Sequence, residues 1–432
     1  MYRFDCIMKE VLFVAVFEVD GGRKLFGEMK IHGAKNSALP LLCASLICDG
    51  ETVFHNCPDL SDVNATLDIL QYLGCDVTRE DSTVIINAKG AYGSKVPDEL
   101  MQKMRSSVLF LGAMISKCGC ARITYPGGCP IGPRPIDLHL KALTTLGVKV
   151  DERFGRIDCR IPDRPTGAVI SFPFVSVGAT ENAILCAVKA QGVTTILNAA
   201  VEPEIIDLCT YLNKCGADIR GAGNGTVVIH GVNRLHGCTH SIIPDRIETA
   251  TYMAACAVTG GRMRITQINP EYTQPVFYAF EEAGCTLDVD ENSVFISAPK
   301  KLSRIKLVRT QVYPGFPTDA QAPVMAMASV ANGTSIFIET IFSDRFKHIE
   351  GLTRFGAKIK AEQSVAVVES VDKLYGAEVV SPDLRSGAAY CVAALCAEGK
   401  STVRGIPHIQ RGYQAICENL QNLGANIYVK EE

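Results

Sequence analysis

The sequence lacks a strong excess of charge of either sign. Its 432 residues carry 43 Lys and Arg against 46 Asp and Glu, for a formal net charge of −3. This balance creates no global field that would attract nucleic acid or an anionic membrane, so we expect neither as a partner. Any anionic ligand must then be held by a local cluster of basic residues.

Long apolar runs are also missing. The apolar stretch at residues 11–17 is too short to span a bilayer, and we expect it to form a first strand. Residues before about Met8 are then expected to be a dispensable tail. Acidic residues flank the stretch on both sides, which is unlike a signal peptide; they are Asp5, Glu10, Glu18 and Asp20.

The cysteines lack the spacing of a metal site. None of the eighteen forms a CxxC pair, and Cys118 and Cys120 are too close for zinc-finger spacing. Many lie in apolar, helix-like surroundings, as do Cys43, Cys186 and Cys256, where cysteine behaves as a small buried hydrophobe. This usage indicates a reducing, cytoplasmic compartment and no bound metal.

Several common catalytic and binding motifs are absent as well. The chain has no P-loop, no HExxH pair, no Ser-His-Asp order and no GxGxxG in a strand context. The glycine-rich segment 221–225 is better interpreted as a hairpin turn between two strands. The function must therefore be inferred from the chain's organisation.

A six-fold internal repeat provides that organisation. A helix-like run that ends in Gly and leads into a short apolar strand recurs about every 70 residues. The glycines are Gly74, Gly147, Gly216, Gly284, Gly356 and Gly424. A second series closes runs rich in Ala, Leu, Cys and Met: Gly50, Gly119, Gly192, Gly260, Gly333 and Gly399. Gly is the usual residue after a helix, so each unit is predicted to hold two helices, each followed by strand.

The two helices of a unit differ in character. The first is small and apolar nearly all round, which predicts burial, whereas the second has a polar face. Six such units are too many for one hydrophobic core. We predict two domains of three units each, with the boundary near residue 243.

A stiff loop at residues 125–135 interrupts the second unit. It contains three Gly and four Pro and lies between an apolar strand and a helix that starts near Ile136. Cys129 is at its middle, and Arg134 follows five residues later. A nearby cation favours a reactive thiolate, although composition alone favours an idle surface thiol.

Basic residues stand at the starts of several predicted buried helices. Lys35, Arg246 and Arg385 oppose the helix dipole there, but they suit a site for phosphate or carboxylate. Arg345 and Arg411, near the second helices of units five and six, extend the set. In unit two, Arg105 is expected about two turns into a helix that begins near Pro97. If these helix starts face one cleft, that cleft is strongly positive; the alternative is scattered surface arginines.

Two further residues would supply acid–base chemistry in such a cleft. Asp319 is expected as an unpaired carboxylate that serves as general base, and Cys129 as general acid. Several neighbouring polar residues are explained as ordinary helix N-caps: Ser176, Asp245, Thr318 and Asp383.

Six ordered motifs resemble one known family. They are GAKNSALP (33–40), PGGCPIG (126–132), VSVGAT (175–180), PDRIET (244–249), FPTD (316–319) and DLR (383–385). They resemble the UDP-N-acetylglucosamine 1-carboxyvinyltransferases, a family of enolpyruvyl transferases, from about Val16 to the C-terminus. The resemblance implies an α/β fold of two inside-out α/β-barrel-like domains, each of three repeated units. It places residues 35–243 in one domain and residues 1–34 with 244–432 in the other.

The resemblance also implies a reaction. The family transfers the enolpyruvyl group of phosphoenolpyruvate to the 3-hydroxyl of UDP-N-acetylglucosamine and releases phosphate, by addition and then elimination, at the start of peptidoglycan synthesis. Asp319 would take the hydroxyl proton, and Cys129 would protonate the methylene carbon or assist product release. Cys129 would also form an adduct with phosphoenolpyruvate and react with fosfomycin. No metal or organic cofactor is implied.

Binding residues follow from the matching motifs. Phosphoenolpyruvate would be held by Lys35, Asn36, Arg134 and Arg411, of which Lys35 and Arg411 also count as catalytic. UDP-N-acetylglucosamine would be held by Arg105, Arg134, Pro135, Ile136, Asp137, Leu138, Phe174, Val175, Ser176, Val177, Asp319 and Ile341.

Three positions depart from many family members. Ser61 and Phe174 stand where Lys is frequent, and Gln410 replaces an acid beside Arg411. Weaker diphosphate contacts and an altered closing motion of Arg411 are the expected consequences. Two other interpretations stay open: a sister enzyme that acts on shikimate 3-phosphate, and a silent relative that only binds a UDP-sugar. Two hinged domains also predict closure over the substrates.

Overall fold

The structure, a computed structural model, describes residues 15–127 and 135–431. Its α-helices are α1 Lys35–Ser45, α2 Ser61–Tyr72, α3 Asp98–Gln102, α4 Phe110–Cys118, α5 Asp137–Thr145, α6 Val177–Ala187, α7 Pro203–Lys214, α8 Arg246–Val258, α9 Pro270–Glu282, α10 Gln321–Ala328, α11 His348–Arg354, α12 Leu384–Cys396, α13 Ile406–Ile409 and α14 Ile416–Asn422. Short 3-10 turns cover Arg105–Leu109 and Thr318–Ala320.

The strands are short and follow the helices in a regular order. They are β1 Ala15–Asp20, β2 Phe26–Lys30, β3 Glu51–His55, β4 Asp76–Glu80, β5 Thr83–Asn87, β6 Cys120–Thr124, β7 Lys149–Arg153, β8 Arg156–Arg160, β9 Val169–Ser171, β10 Val193–Leu197, β11 Asp218–Arg220, β12 Thr226–His230, β13 Thr239–Ser241, β14 Arg262–Thr266, β15 Thr286–Val289, β16 Ser293–Ser297, β17 Leu307–Arg309, β18 Ser335–Ile338, β19 Lys358–Glu362, β20 Val365–Glu369, β21 Glu378–Val380, β22 Lys400–Arg404 and β23 Asn426–Glu431.

The predicted repeat is confirmed by the backbone. Every glycine of both series has a positive φ, between 61° and 115°. Only Gly accepts this conformation without a Cβ clash. Each unit therefore turns from helix into strand at the positions where the spacing predicts it. The hairpin predicted at 221–225 is also confirmed, between β11 and β12.

Each unit builds one small mixed sheet. In units one to five, the strand after the buried helix pairs antiparallel with the second strand of the hairpin that follows, as β10 does with β12. In all of these except unit two, a parallel strand adds to its other edge, as β9 does to β10. In unit six, β1 lies between β22 and β23. Five sheets have four strands, and the sheet β6-β8-β7 has three. In that sheet a single parallel bridge between Lys95 and Arg122 stands where the other sheets have a strand. The sheets do not join into a closed barrel among the described residues.

Helices occupy the interior and sheets the outside, as the α/β class with inside-out domains requires. In α10, every residue from Gln321 to Ala328 is buried. The helices α8, α10 and α12 pack against one another, and α4 packs against α6. This confirms the fold class and the burial predicted for the first helix of each unit.

The buried apolar residues fall into two clusters. One runs from Ala38 to Ile242, and the other joins residues 17–31 to residues 250–427. Strand pairing follows the same division, because β1 pairs with β22 and β23, and β2 with β14. The domain bounds 35–243 and 1–34 with 244–432 stay a prediction, which this division supports.

The chain passes twice between the two clusters, and the crossings lie side by side. Ala34 N–H donates to Ile243 C=O at 2.7 Å, and Asp245 N–H donates to His32 C=O at 2.9 Å. Gly33 lies at this point because a Cβ there would be only 1.8 Å from the carbonyl oxygen of Asn56. We call the described residues around the cluster that runs from Ala38 to Ile242 the first body, and those around the other cluster the second body. The paired crossings form the backbone connection about which the two bodies can hinge.

One helix prediction in unit two is wrong. Arg105 was expected about two turns inside a helix that begins near Pro97. Instead α3 ends at Gln102, and Arg105 opens a 3-10 turn that leads into α4. Ser107 explains the break, because its hydroxyl donates to the carbonyls of Met101 and Met104 at 2.8 Å. A side chain that bonds nearby backbone groups competes with a continuous helix.

Candidate active site

A cavity of about 1020 Å³ lies between the two bodies. Its wall includes every described residue predicted for substrate binding except Ile136, which is buried beside it. Those in the wall are Lys35, Asn36, Arg105, Pro135, Asp137, Leu138, Phe174, Val175, Ser176, Val177, Asp319, Ile341 and Arg411. Cys129 and Arg134 lie outside the described residues. The size suits a ligand of drug-like dimensions or larger.

Helix starts deliver polar groups to this cavity from both bodies. The N-terminal ends of α1, α6, α8 and α12 all contribute to the wall. Asp245 and Asp383 cap α8 and α12, and the Ser176 hydroxyl accepts from Ala179 N–H at 3.4 Å, as predicted for these three. Thr318 is not a cap, because its hydroxyl donates to Glu339 Oε2 at 2.8 Å.

A carboxylate that the sequence analysis missed lies beside the predicted phosphoenolpyruvate residues. Asp62, in the first turn of α2, accepts from Lys35 Nζ at 3.3 Å and from Arg411 Nε at 2.9 Å. Lys35 belongs to the first body and Arg411 to the second, so Asp62 connects them. Its position directly after Ser61, a position already noted for its missing Lys, was the available signal.

The contact between Asp62 and Arg411 also compensates for Gln410, which stands where many family members have an acid beside this arginine. Arg411 has no acidic neighbour in sequence, but Asp62 supplies the carboxylate across the gap. Backbone contacts lie alongside: Ser61 N–H donates to Gln410 C=O at 3.4 Å, and Asp59 N–H donates to Gln414 Oε1 at 2.8 Å. The segment around Arg411 therefore already rests on the first body.

Asp319 is not the unpaired carboxylate that was expected. Its Oδ1 accepts from Arg345 Nη2 at 2.5 Å, and its Oδ2 accepts from Arg385 Nη2 at 2.8 Å. Burial alone would raise the pKa of the Asp319 carboxyl, but the two guanidinium charges outweigh it and hold that pKa well below its usual range. Asp319 is thus fully ionised and firmly oriented at neutral pH.

The two arginines are themselves fixed by the second body. Arg385 Nη1 donates to the Tyr413 hydroxyl at 3.1 Å, and its guanidinium carbon lies 5.4 Å from the centroid of that ring. Arg345 Nη2 also reaches Thr318 C=O at 3.4 Å. Both side chains are buried. A rigid pair of cations behind one carboxylate suits a site that must hold a hydroxyl group in a fixed direction.

Three further acidic residues, Glu181, Glu202 and Glu204, line the cavity, and the sequence analysis missed them as well. Glu204 receives Arg246 through both oxygens, at 3.0 and 3.3 Å. Burial raises the pKa of Glu202, and it raises the pKa of Glu181 well above the usual range. The pattern Glu202-Pro203-Glu204 at the start of a predicted helix was the available signal.

The prediction of a strongly positive cleft is therefore wrong in one respect. The basic residues do converge on one cavity, but four of them have carboxylate partners: Arg246, Arg345, Arg385 and Arg411. Among the described residues, the wall holds seven Asp and Glu side chains against six Lys and Arg side chains. Ligand anions must compete with these carboxylates. The cavity therefore selects its ligands by the positions of individual charged groups rather than by its net charge.

Apolar groups complete the wall on its outer side. Phe174 is 59% exposed and Ile341 37% exposed, and both line the cavity. Exposed apolar side chains at the mouth of a polar cavity suit a flat ring in a ligand. Within the described part of the chain, no helix is long and apolar enough to cross a membrane, and no cluster of His, Cys, Asp and Glu could hold a metal ion.

Known proteins resemble this chain over nearly its whole length. The family model described as EPSP synthase (3-phosphoshikimate 1-carboxyvinyltransferase) matches residues 19–420. UDP-N-acetylglucosamine 1-carboxyvinyltransferase 2 of Caldanaerobacter subterraneus subsp. tengcongensis is 46% identical, over 95% of this chain and 98% of the relative. UDP-N-acetylglucosamine 1-carboxyvinyltransferase of Acinetobacter guillouiae is 43% identical, also over 95% of this chain and 98% of the relative.

Two solved structures share the fold. The enolpyruvyl transferase NikO from Streptomyces tendae superposes with a TM-score of 0.88 at 25% identity and covers 97% of this chain and 100% of its own. EPSP synthase from Acinetobacter baumannii has a TM-score of 0.75 at 17% identity and covers 96% of this chain and 100% of its own, a likeness of fold alone.

Proposed function

The chain belongs to the EPSP synthase family of enolpyruvyl transferases, and within it to the UDP-N-acetylglucosamine 1-carboxyvinyltransferases; from that premise we propose its reaction. It transfers the enolpyruvyl group of phosphoenolpyruvate to the 3-hydroxyl of UDP-N-acetylglucosamine and releases inorganic phosphate. This is the first committed step of peptidoglycan synthesis. We place it in the cytoplasm, where the substrates and the free thiols of the described cysteines belong.

One observation carries this proposal. The predicted binding residues of the described chain come from segments far apart in sequence, yet they surround a single cavity between the two bodies. A site for two separate substrates needs such a shared cavity, because each substrate must reach the other within contact distance.

Phosphoenolpyruvate binds next to Lys35, Asn36 and Arg411 in this proposal. Lys35 and Arg411 converge on the Asp62 carboxylate, at 3.3 and 2.9 Å, which is the kind of group they would hold on the substrate. A forked guanidinium suits carboxylate or phosphate better than a single ammonium does. Arg134, in the loop predicted at residues 125–135, would add a second guanidinium fork.

UDP-N-acetylglucosamine occupies the remaining wall. The start of α6 offers free backbone N–H groups to the diphosphate, and Arg105 adds charge. Phe174 and the residues Pro135 to Leu138 surround the nucleoside. Ile341 and Asp319 contact the sugar, which brings the 3-hydroxyl to the carboxylate.

The chemistry proceeds by addition and then elimination. The sugar 3-oxygen bonds to C2 of phosphoenolpyruvate while C3 gains a proton and becomes a methyl group. Loss of that C3 proton and of the phosphate group then restores the double bond. Asp319 accepts the hydroxyl proton as the new C–O bond forms, and Cys129 delivers the proton to C3.

The two arginines shape the role of Asp319 as a base. A carboxylate with a strongly lowered pKa is a weak base toward a free alcohol. It gains a proton only as the alcohol oxygen becomes acidic during bond formation, so its main contribution is to orient the hydroxyl. Arg385 and Arg345 therefore lower the basicity of the Asp319 carboxylate and at the same time hold it in a fixed direction toward the hydroxyl.

Closure of two domains over the substrates completes the proposal. In this proposal, residues 35–243 form one domain and residues 1–34 with 244–432 form the other. The two apolar clusters and the paired crossings near residues 33 and 244 support this division. Closing would exclude water from the tetrahedral intermediate. Release of the Asp62 contact to Arg411 would accompany opening.

The test is a phosphate-release assay on the purified protein. We expect release only when phosphoenolpyruvate and UDP-N-acetylglucosamine are both present, and none when shikimate 3-phosphate replaces the sugar nucleotide. A Cys129→Ser variant should lose turnover, whereas Cys129→Asp should keep it and resist fosfomycin. Binding of UDP-N-acetylglucosamine without any turnover would instead support a silent relative.

A further inference from the structure

Three thiols meet at the C-terminal end of α7. Cys215 follows that helix directly, and its Sγ lies 3.3 Å from the Sγ of Cys238, which precedes β13. The Cys48 thiol shares a hydrogen bond with Cys215, and it lies 3.4 Å from the hydroxyl of Tyr211. None of these groups lines the cavity or has a part in enolpyruvyl transfer.

The backbone holds the two closest thiols near each other. His236 N–H donates to Cys215 C=O at 2.9 Å, so the segment that carries Cys238 is fastened to the end of α7. A disulfide requires a sulfur–sulfur distance of about 2.05 Å. The two sulfurs therefore need to approach by only about 1 Å to form the bond.

The three thiols differ in their access to solvent. Cys48 and Cys215 are fully buried, whereas Cys238 is partly exposed. Burial raises the pKa of the Cys238 thiol, while the Lys214 ammonium favours its thiolate. A small neutral oxidant therefore meets Cys238 first, with Cys215 directly behind it.

We propose that Cys215 and Cys238 form a disulfide when the protein meets a hydroperoxide. The Cys238 thiolate attacks one peroxide oxygen, the O–O bond breaks, and with one proton the products are a Cys238 sulfenic acid and water. The Cys215 sulfur then attacks the Cys238 sulfur, and the S–O bond breaks. The thiol proton leaves with the hydroxide as a second water. Two thiols lose two electrons in total, and hydrogen peroxide gains them.

The bond would join α7 to the segment that enters the second crossing. Asp207 of α7 already accepts from the Ser37 hydroxyl of α1 at 2.5 Å and contacts His240 Nε2 of β13 at 2.8 Å. Oxidation adds a covalent link between two of these three elements, α7 and the segment that enters β13. The oxidised protein should therefore unfold at a higher temperature than the reduced one, by a few degrees. The proposal does not depend on the transferase activity.

The experiment maps disulfides in the full-length chain. A Cys129→Ser protein, which removes the loop thiol from the reaction, is treated with hydrogen peroxide, alkylated, digested and analysed by mass spectrometry. We expect a linked peptide pair that contains Cys215 and Cys238, absent after treatment with a thiol reductant. The unfolding midpoint should rise on oxidation and fall back on reduction.

Variants of the three cysteines make the assignment specific. Cys238→Ala, a change at a partly exposed site, should abolish both the linked pair and the shift in midpoint. Cys48→Ala should leave both. A Cys48–Cys215 pair in place of the assigned one would overturn the proposal. So would oxidation of other cysteines while Cys215 and Cys238 are both recovered in alkylated form from the Cys129→Ser protein.

Discussion

Two carboxylates in the cavity are each held by two cations, but in different ways. Asp319 is bound by Arg345 and Arg385, and all three belong to the second body. Asp62 is bound by Lys35 of its own body and by Arg411 of the other. The first arrangement survives any movement between the bodies, whereas the second is broken by it. We call Asp319 with its two arginines the permanent cluster, and Asp62 with Lys35 and Arg411 the divided cluster. The permanent cluster suits the chemical step, and the divided cluster suits the exchange of ligands.

Loss of the Asp319 carboxylate should have the largest effect. We expect Asp319→Asn to lower kcat by about 10³-fold, because the hydroxyl loses its proton acceptor and its orienting charge. The measurement is steady-state phosphate release, with Asp288→Asn on an exposed strand as the matched control. Wild-type kcat in Asp319→Asn would remove Asp319 from the chemistry.

A change at Arg411 should act on substrate binding instead. Arg411→Lys keeps the charge but loses the fork that contacts both oxygens of Asp62, at 2.9 and 3.5 Å. We expect the KM for phosphoenolpyruvate to rise by about 30-fold. Arg354→Lys, on the exposed face of α11, provides the control. If kcat alone fell and KM stayed constant, the divided cluster would belong to the chemical step.

Asp62→Asn should have a smaller effect of the opposite sign. The internal carboxylate competes with the anionic groups of phosphoenolpyruvate for Lys35 and Arg411, so its removal frees both cations. We expect phosphoenolpyruvate to bind several-fold more tightly to the variant without sugar nucleotide, a change of about 1 kcal/mol. Calorimetry can measure this, with Asp68→Asn on the same helix as control. Weaker binding would mean that Asp62 positions the cations rather than competes.

Substitution of either of two histidines, His348 or His32, should change only the pH dependence of stability, which is the smallest effect expected at neutral pH. Burial lowers the pKa of His348, whose Nδ1 lies 3.2 Å from the Arg345 carbonyl oxygen, to about 4. Below pH 6.5 the unfolded chain binds a proton that the folded chain does not, so stability falls as pH falls from 6.5 to about 4. His348→Gln should flatten that slope, which amounts to at most about 1.4 kcal/mol per pH unit.

His32, at the crossing between the bodies, should behave in the opposite sense. Burial alone would lower the pKa of His32, but its contact with Glu248 at 3.0 Å outweighs this, and the pKa is raised. Its stabilising contribution is present in full below pH 6.5 and is lost as pH rises through the folded pKa. His32→Gln should flatten only this second limb in denaturant unfolding measured against pH. The same response from both variants would contradict the assignment.

The repeat was predictable from sequence because its cause is local. A positive φ at positions such as Gly147 and Gly424 demands glycine, so the period is written in the residues themselves. The caps Asp245 and Asp383 are local for the same reason. The pairing of β13 with β3 and of β2 with β14 joins strands that are far apart in sequence. It was not predictable, since nothing in these short strands identifies a partner.

The partners in the site could not be predicted, because they are distant in sequence. Arg345 and Arg385 lie 26 and 66 residues from Asp319, and Asp62 lies 349 residues from Arg411. Residue type suggested the anion-binding role of the cations but not the carboxylates that hold them. That error matters, because an ionised and paired Asp319 works differently from a free one.

The most direct test of the proposed function is the identity and yield of the product. Purified protein is incubated with phosphoenolpyruvate and UDP-N-acetylglucosamine, and both the sugar nucleotide and the phosphate are quantified by mass spectrometry and a phosphate assay. The account predicts an enolpyruvyl ether of UDP-N-acetylglucosamine in equal amount to the phosphate released. Unchanged sugar nucleotide, or phosphate released without that ether, would contradict it.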